Sequence, residues 1–200
     1  MENKDKIILH LCASEYGSDT RDYREAGYDV RLITKDIDVR KYEPPPNVYG
    51  IFANPPCTMF SKARTRAKTP RDMLQGMELV MACLNIIWKC QSRITRDANP
   101  EMPLKWWALE NPDGYLKWFL GKPAFQYSPY EFGADYSKKT NLWGMFAPPQ
   151  KPFFNNQIAK NRTMKTLHTP MSEGRNWERI SDLRSIAPPL FTKAFFSANP

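Results

Sequence analysis

The chain has 200 residues, 42% of them apolar and 13% aromatic, which is enough to bury one sizeable core, so a single domain is expected. Lys and Arg outnumber Asp and Glu by 29 to 21, and the resulting charge of +8 favours a polyanionic partner such as nucleic acid. No run approaches membrane-spanning length, Met1 to Lys6 does not read as a signal peptide, and cysteines 12, 57, 83 and 90 lack Cys-x-x-Cys or zinc spacing; a soluble cytoplasmic protein with free thiols and no metal is expected.

Ile7-Ile8-Leu9-His10-Leu11 reads as a strand, followed by small polar residues from Cys12 to Thr20 and a helix over Arg21 to Ala26 that Gly27 stops. Tyr28 to Ile33 reads as a second strand. After the linker Glu43-Pro44-Pro45-Pro46, Asn47 to Ala53 forms a third, closed by Asn54-Pro55-Pro56-Cys57. Between Arg71 and Arg96, Met73, Leu74, Met77, Val80, Met81, Leu84, Ile87 and Trp88 recur at intervals of three and four and predict a long amphipathic helix whose Met stripe is core. Trp106 to Leu109 is a continuous apolar strand ending in Glu110-Asn111-Pro112, with Pro112 expected to open a helix towards Leu120. Asn141 to Met145 is a later strand, 146–180 a small irregular insertion, and Ala187 to Phe196 a final proline-opened helix. This alternation predicts an open, mostly parallel, Rossmann-like α/β sheet with helices on both faces and ligands at the carboxyl ends of its strands.

Cys57 and Glu110 both fall just past such ends. Prolines fix the backbone before Cys57, which suits a directed nucleophile, although a lone cysteine there also suits a buried turn filler. Glu110 follows four apolar residues, so its pKa should rise towards the range useful for donating a proton; the alternative is a helix cap. Cys83, Cys90, Trp106, Trp107 and His168 are read as structural.

Pro55-Pro56-Cys57 with Thr58, Phe60 and Ser61, followed by Glu110-Asn111-Pro112, resembles the nucleophile and Glu-Asn motifs of the DNA (cytosine-5) methyltransferases, especially small phage-type members. The likeness runs from Leu9 to Ala198. It takes in Ser137-Lys138-Lys139-Thr140-Asn141-Leu142-Trp143, similar to the Gln-x-Arg-x-Arg region, and Arg184-Ser185-Ile186-Ala187-Pro188-Pro189, similar to the terminal motif returning to the donor.

The resemblance implies a methyltransferase sheet and S-adenosylmethionine as cofactor. It also implies a cytosine-containing DNA partner, duplex or single-stranded, in a bacterial or phage-infected cell. Cys57 would add to cytosine C6, Glu110 would donate to N3, and Lys139 would stand for the arginine that supports the pyrimidine carbonyl. Cys12, Ala13, Ser14, Gly17, Asp36, Asp38, Asn54, Pro55 and Ser185 would surround the donor. The loop departs from the family's glycine-rich pattern, because Ser14, Glu15 and Tyr16 occupy the path and only Gly17 remains.

Ser61, Lys62, Arg64, Arg66 and Lys68 read as a phosphate clamp beside the nucleophile, and Lys138, Lys160 and Arg162 as further nucleic-acid contacts. Between Gly144 and Ser181 too little chain remains for an independent recognition core, so sequence selectivity should be low. Two other uses fit the same residues. One is C5 modification of a free pyrimidine nucleotide or RNA, or with a variant sulfonium donor; the other is an inactive DNA-binding accessory.

Overall fold

In a computed structural model, residues 2–62, 64, 67–92, 104–152 and 185–200 are described. Six strands form one mixed sheet: β1 (Ile7–Leu11), β2 (Asp29–Ile33), β3 (Val48–Ala53), β4 (Trp106–Pro112), β5 (Phe125–Tyr127) and β6 (Thr140–Met145). Their order across the sheet is β2-β1-β3-β4-β6-β5. The first four are parallel, while β6 runs antiparallel to β4 and to β5.

The strands read as continuous apolar runs because both faces of the sheet are covered. Side chains alternate with period two, so Leu9, Leu11, Ile51, Ala53 and Leu109 face one core, packed by Val80, Cys83 and Ile87 of α2 (Met73–Ser92). Ile8, Phe52, Trp106 and Ala108 face the other. Tyr23 of α1 (Arg21–Glu25) closes that side together with Phe191 and Phe195 of α4 (Pro189–Ala198). A short α3 (Lys117–Leu120) precedes β5.

Two expectations are corrected. Pro112 does not open a helix; it ends β4, paired with Thr140, and the helix begins only at Lys117. Antiparallel pairing with β6 holds the backbone extended past the apolar run, which local sequence cannot foretell. Phe125–Tyr127 is a strand with no counterpart among the expected elements, three residues long and too short for a periodic signal. Most of the expected insertion, from 153 to 180, lies outside the described residues.

The chain leaves β1 sideways to β2 and then crosses back to β3 on the other flank of β1. The strand order therefore reverses between β1 and β3, and the crevice at their carboxyl ends is where an open α/β sheet takes its ligand.

Candidate active site

Asn54 follows the last β3–β4 pair, Ala53 with Leu109, and so stands beside Glu110 on the adjoining strand. By the same alternation, His10, Asn54 and Glu110 share the face covered by α1 and α4. A connected set of bonds results. His10 Nε2 lies 2.9 Å from Asn54 Oδ1, and Asn54 Nδ2 donates to Glu110 Oε2 over 3.3 Å. With the Asn54 carbonyl as acceptor, the neutral imidazole carries its proton on Nε2, and its Nδ1 lies 3.1 Å from the Thr20 hydroxyl, which is itself 3.3 Å from the Gly17 carbonyl.

Burial lowers the pKa of His10 to about 4 and raises that of the neighbouring Asp19 to about 7. Both are therefore neutral near pH 6, and the 3.8 Å approach of Asp19 Oδ2 to His10 Nε2 is not an ion pair there.

Glu110 is partly buried and its pKa is raised by desolvation, with Lys138 and the Asn54 amide opposing the rise. Cys57 is likewise raised by desolvation; Lys138 lowers it, and the Glu110 charge raises it further. Thiol, carboxyl and ammonium thus lie within electrostatic reach of one another. The fully buried Asn111 adds a clamp, its Nδ2 donating to the Pro55 carbonyl over 2.9 Å, so consecutive residues of β4 hold the two ends of the Asn54-Pro55 step.

Beyond Cys57 the chain turns, with Phe60 N and Ser61 N both donating to the Cys57 carbonyl. Ser61 then bridges Gly114, and Tyr115 N donates to Phe60 O over 2.9 Å. The approach is so close that a Cβ at Gly114 would run into the Phe60 carbonyl oxygen. Arg71 finishes the loop by donating to the carbonyls of Met59 and Ser61.

The loop from Cys12 to Gly17 also takes shape. Cys12 has a φ of 53°, Ala13 N bonds Ile33 O, and a turn from Ser14 to Gly17 closes with Gly17 left-handed at φ 54°. Tyr16 is 58% exposed and Glu15 reaches towards Lys35 at 3.9 Å, so these two side chains lie outward. The side chain of Cys12 turns to α2, its sulfur 3.8 Å from that of Cys83. Ala187 N donates to Ser18 Oγ and Arg21 to the Thr192 hydroxyl, which brings the C-terminal segment back to this loop; Ser185, two residues earlier, is exposed.

Other expected residues fall elsewhere. Lys139 is exposed and lines a cleft with Lys117, Trp118 and Lys122; it is Lys138 whose charge acts on Cys57, Glu110 and Asp19. Asp38 caps the turn after it and binds the Arg40 guanidinium at 2.8 and 3.1 Å, while Asp36 is exposed. Within the basic run, Lys62 pairs with Asp113 at 3.1 Å, Arg64 bonds Thr69 and Lys68 is exposed. Arg66, Lys160 and Arg162 lie outside the described residues.

His10 and Asp19 join the site without having stood among the expected residues. Their signal in the sequence is a histidine inside an otherwise apolar strand, which must find buried partners, and an acid in a loop that folds to leave it only 5% exposed. No protein-family model matches the chain, and no curated protein does either.

Proposed function

We propose that the protein is a cytosine C5 methyltransferase acting on DNA. The observation that carries this reading is the coupling of Glu110 and Cys57, a carboxyl bound through Asn54 to the same short loop that bears the thiol, with Lys138 acting on both.

Cytosine C5 is a weak nucleophile until something adds at C6. The Cys57 thiolate forms the S–C6 bond, and the Lys138 charge favours the thiolate that burial disfavours. Glu110, whose dry surroundings favour its protonated form, donates to N3 as negative charge develops there. The Asn54 amide already occupies Glu110 Oε2, so Oε1 is the oxygen left to carry the donated proton. Loss of the C5 proton to water re-forms the C5–C6 double bond and expels Cys57 as thiolate, and N3 returns its proton to Glu110. Because the target atoms are hidden inside a duplex, the base must be unpaired or turned out of the stack.

The crevice between β1 and β3 fits S-adenosylmethionine in that the Cys12–Gly17 turn lies at the strand-order reversal and Ala187 returns beside Ser18. Ala13, Ser14, Gly17, Asn54 and Pro55 would hold it, and when bound it supplies an electrophilic methyl on sulfur. Asp36 is the acid left to meet its ribose or adenine, since Asp38 is committed to Arg40.

Incubation of the protein and S-adenosylmethionine with cytosine-containing duplex, single strand and dCMP, read by nucleoside mass spectrometry, tests the reading. 5-Methylcytosine in DNA is expected. A modified base only on dCMP, or none on any substrate, would overturn it.

A further inference from the structure

We propose that the Trp118 indole and the lysines of the adjoining cleft form a binding platform for single-stranded nucleic acid, on which an unpaired base stacks. The inference deepens the proposed function by naming a second contact for the substrate strand, and it rests on that reading only for which strand arrives there.

The platform begins at the nucleophile loop. The Arg71 guanidinium, fixed by the Met59 and Ser61 carbonyls, lies over the Tyr115 ring at 4.9 Å from its centroid. Tyr115 in turn packs against Trp118, with ring centroids 4.6 Å apart and an interplanar angle of 47°. Trp118 is thus supported from one side, yet it is 70% exposed, and the neighbouring Phe119 is 49% exposed. An indole held by the Tyr115 ring while most of its surface meets water offers a π-face to a ligand that can stack.

Beside it lies a cleft of about 670 Å³ lined by Trp118, Lys117, Lys122, Lys139, Asp113 and Phe125, among others. Three lysines against one aspartate leave the lining positive, which complements phosphate. One wall of the cleft is joined to the reactive pair through the chain, because Lys139 lines it while its neighbour Lys138 acts on Cys57 and Glu110. A strand that places one base between Cys57 and Glu110 would carry its flanking nucleotides along this wall. Stacking favours an unpaired strand over a duplex, whose base faces are already covered, and over an acidic peptide, which has charge but no bases.

Anisotropy titration of fluorescein-labelled oligo(dT) twelve nucleotides long, against the full chain without donor, measures this apart from chemistry. Trp118→Ala should weaken binding about tenfold or more, as removal of one stacked base predicts, and Trp118→Phe should recover part of it. Lys122→Gln with Lys139→Gln should reduce the salt slope by about 1.4, roughly 0.7 for each phosphate no longer neutralised. A twelve-base-pair duplex should show no dependence on Trp118. Unchanged oligo(dT) binding by Trp118→Ala, or displacement by polyglutamate that depends equally on Trp118, would overturn the proposal. Failure of Cys57 chemistry with intact Trp118-dependent binding would instead overturn the methyltransferase reading and leave the platform standing.

Discussion

Asn54 donates its amide proton to Glu110 Oε2 over 3.3 Å while its carbonyl lies 2.9 Å from His10 Nε2, so one side chain links the buried imidazole of β1 to the carboxyl at the end of β4.

Replacing Asn54 by Leu removes that bond from the ionised carboxylate, which it stabilises, so the Glu110 pKa should rise further. Methylation should fall about 10- to 100-fold from poorer positioning, and the alkaline limb of the pH profile should move upward. An unchanged limb would mean that Asn54 only supports the loop.

Asp19 and His10 make opposite contributions to stability over one pH window. The Asp19 carboxyl, raised from 3.8 to about 7, keeps its proton longer when folded, so its contribution falls as pH rises from about 4 to 7. The His10 imidazole, lowered from 6.5 to about 4, takes its proton later when folded, so its contribution falls as pH drops through the same range. The contributions are roughly 4 kcal/mol for Asp19 and roughly 3 kcal/mol for His10, so in the native pair they largely cancel. Urea midpoints at pH 5 and 7.5 should show Asp19→Asn losing stability towards acid and His10→Gln losing it towards neutral pH. Slopes of the same sign in the two variants would refute the neutral pairing.

Lys138→Met removes the positive charge that favours the Cys57 thiolate. Alkylation of Cys57 by iodoacetamide should slow about tenfold at pH 7 and recover at higher pH, because the substitution raises the thiol pKa. Lys139→Met, on the cleft side, should leave that rate unchanged.

Gly114→Ala tests the packing of the nucleophile loop against the end of β4. The added methyl meets the Phe60 carbonyl oxygen, so the loop backbone must move. Stability should fall by about 1–3 kcal/mol, read from urea unfolding.

Much of this frame is written in local pattern. The runs at 7–11, 29–33 and 48–53 and the three-four spacing along α2 are strong because each element is buried along a whole face or stripe. Cys57 and Glu110 are legible for the same reason, as polar residues interrupting apolar strands at their ends. What stays hidden depends on contacts between distant segments. His10 meets Asn54 across 44 positions, Pro112 is held extended by Thr140, and Lys138 rather than Lys139 turns to the reactive pair according to the register of β6. Trp118 gives no signal because α3 is only four residues long, too short for its exposed side to register as periodicity.

In the proposed reaction the Cys57 sulfur attacks cytosine C6 beside Glu110. Incubation with an oligonucleotide carrying 5-fluorocytosine and S-adenosylmethionine, followed by peptide mass mapping, tests it most directly, because fluorine at C5 blocks the release of the thiolate. A denaturation-stable protein–DNA adduct is expected on the peptide containing Cys57, absent from Cys57→Ser and strongly reduced in Glu110→Gln. An adduct that persists in Cys57→Ser, or that maps to Cys12, Cys83 or Cys90, would contradict it.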